Sequence, residues 1–162
     1  MSPFADGGLI RPYRDADASG TLAVFLPAVR ETAAAHYDAR QIAVWAPDDI
    51  DLAEWARGRA AVATRVAEID GRVVGFTDLD GAGHVDMLFV HPSFGRRGIA
   101  SALFETVLAD ARQAGLTAVT VDASLTARAF FERNGFVVVA QQHVERDGVL
   151  LTNFRMRLEL ED

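Results

Sequence analysis

Apolar residues recur every four positions at Ile99, Leu103, Val107 and Ala111, and Phe104 and Leu108 widen the same stripe. That period predicts an amphipathic helix with one buried face, stopped by Gly115 after a basic Arg112. Upstream, Ala61–Glu68, Arg72–Leu79 and His84–Val90 are β-rich runs separated by Asp70-Gly71 and Asp80-Gly81. Such turn pairs predict antiparallel hairpins, hence a meander leading into the helix. Downstream come a short β segment at Ala118–Ala123 and a helix over Thr126–Arg133 closed by Asn134-Gly135. A strand from Phe136 to about Val144 then turns at Asp147-Gly148 and pairs with Leu150–Leu158.

The first third reads differently. Leu9–Arg14 predicts a strand, and a helix follows from about Gly20 to Tyr37, with Asp17 or Ser19 as its N-cap and Leu22, Phe25, Leu26 and Val29 on one side. A short helix over Ala39–Trp45 ends at Pro47, and another begins near Asp49 or Asp51 and includes Leu52 and Trp55. The total is roughly seven strands and about four helices. A right-handed crossover from His84–Val90 through the central helix to Ala118–Ala123 makes those two strands parallel within an otherwise antiparallel sheet. The expected class is therefore α/β (α+β). Residues 1–8, rich in glycine, serine and proline, are expected to be loose, and residues 9–162 to form a single domain.

The start of the central helix carries the first chemical signal. A helix N-terminus favours acids, yet Arg96 and Arg97 stand there and no Asp or Glu occurs from His91 to Phe104. Gly95, Gly98, Ala100 and Ser101 are small enough to let a bulky anion approach unpaired N–H groups, and pyrophosphate fits that description.

Composition narrows the classes further. With 162 residues, half of them apolar, the chain can bury its own core. Its 16 Lys and Arg against 23 Asp and Glu give a net charge of −7, which argues against nucleic acid and favours neutral or cationic partners. There is no cysteine, so disulfides, thiolate metal sites and a cysteine nucleophile are excluded, and no metal site is expected. No apolar run reaches membrane-spanning length and no signal segment is evident, so no membrane partner is expected and the cytoplasm is the expected location.

The FVHPSFGRRGIASAL and ARAFFERNGF segments, in this order of elements, resemble the GNAT superfamily of N-acetyltransferases. ASLTARAFFERNGF and LTNFRM resemble a bacterial, small-molecule-type branch of it. The family loop reads Gln/Arg-x-x-Gly-x-Gly/Ala; Gly98 and Ala100 match its last two positions, whereas Gly95 departs at the first and Arg96 stands where glycine is common. The resemblance implies a seven-stranded sheet with a splayed parallel pair, acetyl-CoA as donor and an amine as acceptor. It further implies that Arg96, Arg97, Gly98, Ile99, Ala100 and Ser101 hold the pyrophosphate, and that the main chain of Leu88, Phe89 and Val90 pairs with pantetheine. Leu88 would supply an oxyanion donor, and Ser124 and Phe131 would touch the cofactor.

An ammonium must lose a proton before it attacks. His84 and Asp86 share the strand parity of Leu88, which nominates both as bases, directly or through water, with His84 preferred. Ordinary strand-end polar residues are the competing reading. The family tyrosine that often protonates the thiolate is here Phe131, so water, Tyr37, Ser124 or Tyr13 would substitute. His36, Tyr37 and Trp45, with Trp55 and Phe154 beside them, are nominated for the acceptor pocket, although aromatics at helical spacing also serve as core. His143 and Glu145 read equally as pocket or as solvated edge residues.

The expected activity is acetyl transfer to a primary amine of a small molecule, by a monomer or homodimer. A non-catalytic acyl-CoA-binding sensor or interaction module, and a protein or peptide N-acetyltransferase, are the alternatives. A P-loop NTPase is excluded because the loop reads Gly-Ile-Ala where Gly-Lys-Ser/Thr is required. A dinucleotide-binding fold is excluded by the meander.

Overall fold

The computed structural model describes residues 2–161; Met1 and Asp162, the outer limits of the expected boundaries, lie outside the described residues. The strands are β1 (Ser2–Phe4), β2 (Gly8–Pro12), β3 (Arg65–Ile69), β4 (Arg72–Thr77), β5 (His84–Val85), β6 (Leu88–Val90), β7 (Ala118–Ser124), β8 (Val137–Arg146) and β9 (Val149–Glu159). The helices are α1 (Ala18–Pro27), α2 (Ala39–Trp45), α3 (Leu52–Ala60), α4 (Ile99–Gln113) and α5 (Arg128–Arg133).

The strands divide between two sheets, ordered β1-β2-β3-β4-β6 and β5-β7-β9-β8, where the sequence led to one sheet of about seven. The cause is a break at Asp86-Met87. What reads as one strand from His84 to Val90 gives Leu88–Val90 to the first sheet, antiparallel to β4, and His84–Val85 to the second. The parallel pair is only His84↔Thr120 and Val85↔Val121, with the expected crossover through α4.

The beginning of the chain also differs. Ser2–Phe4 pairs with Gly8–Ile10 where residues 1–8 were expected to be loose. Phe4 packs beside Ile10, Ala67 and Val74, and its ring lies where a side chain at residue 8 would stand, so a larger residue there would have to displace the ring. Asp17 precedes α1 without capping it, because Arg11 grips its carboxylate with two bonds of 2.7 and 2.9 Å. Burial pushes the Asp17 carboxyl up, but Arg11 and the Arg14 N–H outweigh this and hold it below its ordinary value.

The helix expected over Gly20–Tyr37 changes character at Pro27. Proline has no N–H to donate to the preceding turn, and the chain continues as a π turn (Ala28–Thr32) and a 3₁₀ turn (Ala33–Ala35). Asp38 caps α2 reciprocally with Gln41, and Asp51 caps α3 through Glu54 N–H.

Helix α4 ties the two sheets together. Ile99 and Leu103 pack on Ile10, Ala67 and Val74 of the first, while Phe104, Val107 and Ala111 pack with Val119, Val121 and Met156 of the second. Gly75 allows this approach: a Cβ there would meet Phe89 O at 3.1 Å and the Ile99 and Leu103 side chains at 3.2 Å. Helices α1 and α3 form a separate aromatic cluster, with Phe25 and Trp55 against Phe76 and Phe89.

Candidate active site

Hydrogen bonding along β6 decides which main-chain groups are free. Antiparallel ladders alternate between residue pairs that exchange bonds and pairs that do not. Asp78 N donates to Met87 O at 3.3 Å and His91 N to Val74 O at 2.8 Å, so in the same register Phe76 and Phe89 bond to each other. Leu88 and Val90 therefore turn their N–H and C=O away from β4, toward an edge on which, among the described residues, no strand pairs with β6. Leu88 and Val90 can offer main-chain bonds to a ligand; Phe89, expected to share this role, has its main chain committed and contributes only its ring.

A cavity of about 250 Å³ opens beside this edge. Asp86, Met87, Leu88 and Phe89 form one wall, and Val121–Ser124 with Ala127 and Phe131 form another. Phe25, Tyr37 and Trp45 close the side toward α1 and α2, and Val144, Arg146 and Leu151–Asn153 close the side toward β8 and β9.

The nominated bases separate here. Asp86 lines the cavity with its side chain exposed; His84 does not line it, because the strand break destroys the shared parity that the sequence implies. His84 Nδ1 lies 2.8 Å from Thr120 Oγ1, and Nε2 lies 3.4 Å from Asp122 Oδ2. Asp122 does line the cavity, and its carboxylate accepts from Arg155 Nε at 2.5 Å and Gln142 Nε2 at 3.0 Å. Burial raises the Asp122 carboxyl, but these bonds and the neighbouring charges outweigh it and hold the pKa below the ordinary value. Sequence reading missed Asp122, although its alternation with Thr120 along β7 was visible.

Of the nominated acceptor residues, Tyr37 and Trp45 are on the wall, ring to ring at 5.3 Å. Tyr37 is buried, its hydroxyl donating to Thr152 O at 2.6 Å and accepting from Leu125 N–H at 2.9 Å. Burial holds that phenol above its ordinary pKa. His36 is exposed, bonded to Thr126 and off the wall. Trp55 and Phe154 are core: the Trp55 indole N–H donates to Thr21, and Phe154 packs under the second sheet with the Arg128 guanidinium over its ring. His143 and Glu145 are exposed on the edge strand. Phe131 is 2% exposed, packed against Phe104, Phe130 and Phe136, yet its ring edges the cavity. The Ser124 hydroxyl accepts from Ala127 N–H at 3.0 Å and also lines the cavity.

The start of α4 is open. No side chain caps it, no acid stands in its first turn, and the helical ladder begins with Ala102 N to Gly98 O at 3.0 Å. The N–H groups of Ile99, Ala100 and Ser101 thus have no partner within the helix. Gly98 has φ +76° with nothing within 4 Å of where a Cβ would sit. Arg96 also adopts a left-handed φ, of +61°, which explains why glycine is common at that place in related loops. Arg96 and Arg97 are exposed; Arg97 meets Asp6 at 3.5 Å and lies over the Phe94 ring. Ile99 has its side chain in the core, so only its main chain is free.

An uncapped, basic helix start and a strand edge with open main-chain groups suit a long ligand carrying phosphates and amides, and coenzyme A has both. The fold and these features define an acetyl-CoA-dependent N-acetyltransferase. The acetyltransferase (GNAT) domain profile matches residues 33–158, and the chain belongs to that superfamily. It is 43% identical over 148 residues to the uncharacterized N-acetyltransferase YafP of Escherichia coli K12, covering 91% of this chain and 93% of that protein. The crystal structure of a GCN5-related N-acetyltransferase from Rhodopseudomonas palustris superposes with a TM-score of 0.91 at 34% identity, over 99% of this chain and 98% of that one. The fold is also shared with the PaiA N-acetyltransferase from Thermoplasma acidophilum, solved in complex with coenzyme A, at a TM-score of 0.75 and 19% identity over 99% of this chain and 100% of that one.

Proposed function

We propose that the protein acetylates the primary amine of a small molecule, with Asp86 and Leu88 at the reacting centre. The observation that carries this reading is the cavity in which a free carboxylate, Asp86, adjoins the open main-chain edge at Leu88. A cavity of about 250 Å³ walled by aromatic rings suits a compact amine better than an extended peptide.

In this reading the N–H groups of Ile99, Ala100 and Ser101, with Arg96 and Arg97, hold the diphosphate of acetyl-CoA. Leu88 and Val90 pair with the pantetheine amides, and Ser124 and the Phe131 ring flank the arm. When bound, the cosubstrate supplies a thioester carbonyl and a leaving thiolate whose conjugate acid has a pKa of about 8.5, so water can protonate it. Asp86 accepts the ammonium proton, directly or through water, and His84, off the cavity, supports the Asp122 carboxylate on its wall. The Leu88 N–H, turned away from β4, would donate to the thioester carbonyl oxygen as negative charge develops there. Tyr37 serves as wall and not as acid, because its proton is committed to the Thr152 carbonyl. Trp45 stacks on the acceptor.

Thiol release from acetyl-CoA, measured with a panel of small amines and confirmed by the mass of the N-acetyl product, tests the reading. Acetyl-CoA binding without turnover on any small amine or peptide would favour a sensor, and turnover on peptides alone a protein acetyltransferase.

A further inference from the structure

The break at Asp86-Met87 opens the edge of β6, and a pair of residues outside the cavity holds it. Asp78 follows β4 and is 2% exposed. Its Oδ1 accepts from Asp86 N–H at 2.8 Å and Met87 N–H at 3.2 Å, so a side-chain carboxylate takes the place that a partner carbonyl would fill in a regular ladder. Thr77 Oγ1 donates to Met87 O at 2.8 Å, and Asp78 N donates to the same carbonyl. The peptide groups at the break are thus satisfied from residues 77 and 78, without a further strand.

On the other side, Asp78 Oδ2 accepts from Arg59 Nη1 at 3.1 Å. Both side chains are buried, 9% and 3% exposed, and Arg59 belongs to α3, with its guanidinium 4.9 Å from the centre of the Trp55 ring. Burial pushes the Asp78 carboxyl above its ordinary value, while the two N–H bonds and the Arg59 charge favour its ionised form.

We infer that Asp78 is a positioning residue for the acetyltransferase: with Arg59 it holds the strand open so that the Leu88 and Val90 main-chain groups face the pantetheine arm. It touches neither substrate nor cavity, and acts through residues 86–88. The inference rests on the proposed placement of pantetheine along β6, and predicts a division between the halves of the cosubstrate. The diphosphate loop lies beyond β6 and is held by its own contacts, so the nucleotide half should bind independently of Asp78.

The test compares acetyl-CoA with 3′-phospho-ADP, the nucleotide half without its pantetheine arm, by calorimetry on wild type, Asp78→Leu, and the double variant Asp78→Leu with Arg59→Met. Leucine is chosen because asparagine would keep an oxygen able to accept the same two N–H bonds. The double variant removes the charge that a single change would strand in the interior. The wild type should bind acetyl-CoA at least tenfold more tightly than 3′-phospho-ADP. In a folded variant this ratio should fall at least fivefold while the affinity for 3′-phospho-ADP stays within twofold, and Asp78→Glu should not restore it, since the longer side chain misplaces the acceptor. An unchanged ratio in either folded variant overturns the inference. If wild type shows no preference for acetyl-CoA over 3′-phospho-ADP, the placement of the arm along β6 fails first, and the role of Asp78 with it. Should Asp78→Leu not fold, the double variant alone decides, and loss of both affinities in parallel in that variant also overturns the assignment.

Discussion

Tyr37 reaches across the cavity to Thr152: its hydroxyl donates to the Thr152 carbonyl at 2.6 Å and accepts from Leu125 N–H at 2.9 Å. One side chain from the helical arm therefore pins β9 and the turn after β7. Tyr37→Phe keeps the ring and strands two main-chain groups, one of them a donor. We expect a loss of about 1–3 kcal/mol in urea unfolding, with turnover changed less than tenfold, since the hydroxyl proton is not available to the thiolate. A collapse of turnover at full stability would return Tyr37 to the list of acids.

The acid-free start of α4 predicts a charge effect. Replacing both Arg96 and Arg97 with Glu should weaken coenzyme A binding tenfold or more, about 1.4 kcal/mol, measured by calorimetry at fixed salt. Arg96→Gly separates charge from backbone. It relieves a left-handed φ of +61° and should raise thermal stability while still weakening the cosubstrate.

The roles proposed for Asp86 and His84 are distinguishable. Asp86→Asn should lower kcat by at least a hundredfold at neutral pH with little change in cosubstrate affinity, since general bases typically supply about 10²–10⁴-fold. His84→Gln should cost less and act mainly through Asp122. Initial rates at saturating acetyl-CoA check both, and a larger effect at His84 would reverse the order.

Asp17 sets part of the acid limit. Its pKa is depressed in the fold, so the unfolded chain binds the proton more readily and the carboxylate stabilises the native state. That contribution is fully present above the ordinary value of 3.8 and is lost as pH falls through the depressed folded value. Asp17→Asn should destabilise the protein near neutrality and flatten the dependence of unfolding free energy on pH between the ordinary value and the depressed folded one. Denaturant titrations at several pH values check the slope.

The buried approach at Gly75 gives a packing prediction. Gly75→Ala places a methyl 3.1 Å from Phe89 O and 3.2 Å from the Ile99 and Leu103 side chains, so the Phe89 carbonyl and those side chains must give by a few tenths of an ångström. A cost of about 1–3 kcal/mol is expected, read from the denaturation midpoint.

The sequence by itself determined the elements whose signal is local. The four-residue period of Ile99 to Ala111, the Asp51 cap and the Asp70-Gly71 and Asp147-Gly148 turns each act within a few residues, so their outcome is legible in the chain; Asp80-Gly81 closes no such hairpin, because the chain after it divides between the two sheets. Tertiary structure decided the rest. Whether His84 and Asp86 share a face depends on a carboxylate at Asp78 and a guanidinium at Arg59, 19 positions apart, that replace a ladder in the interior. Whether Asp17 caps a helix depended on Arg11, and the Tyr37 hydroxyl finds its acceptor in the Thr152 carbonyl, 115 positions away. Burial makes these long-range pairings strong enough to override local pattern, because a polar group removed from water takes whatever partner the fold brings to it.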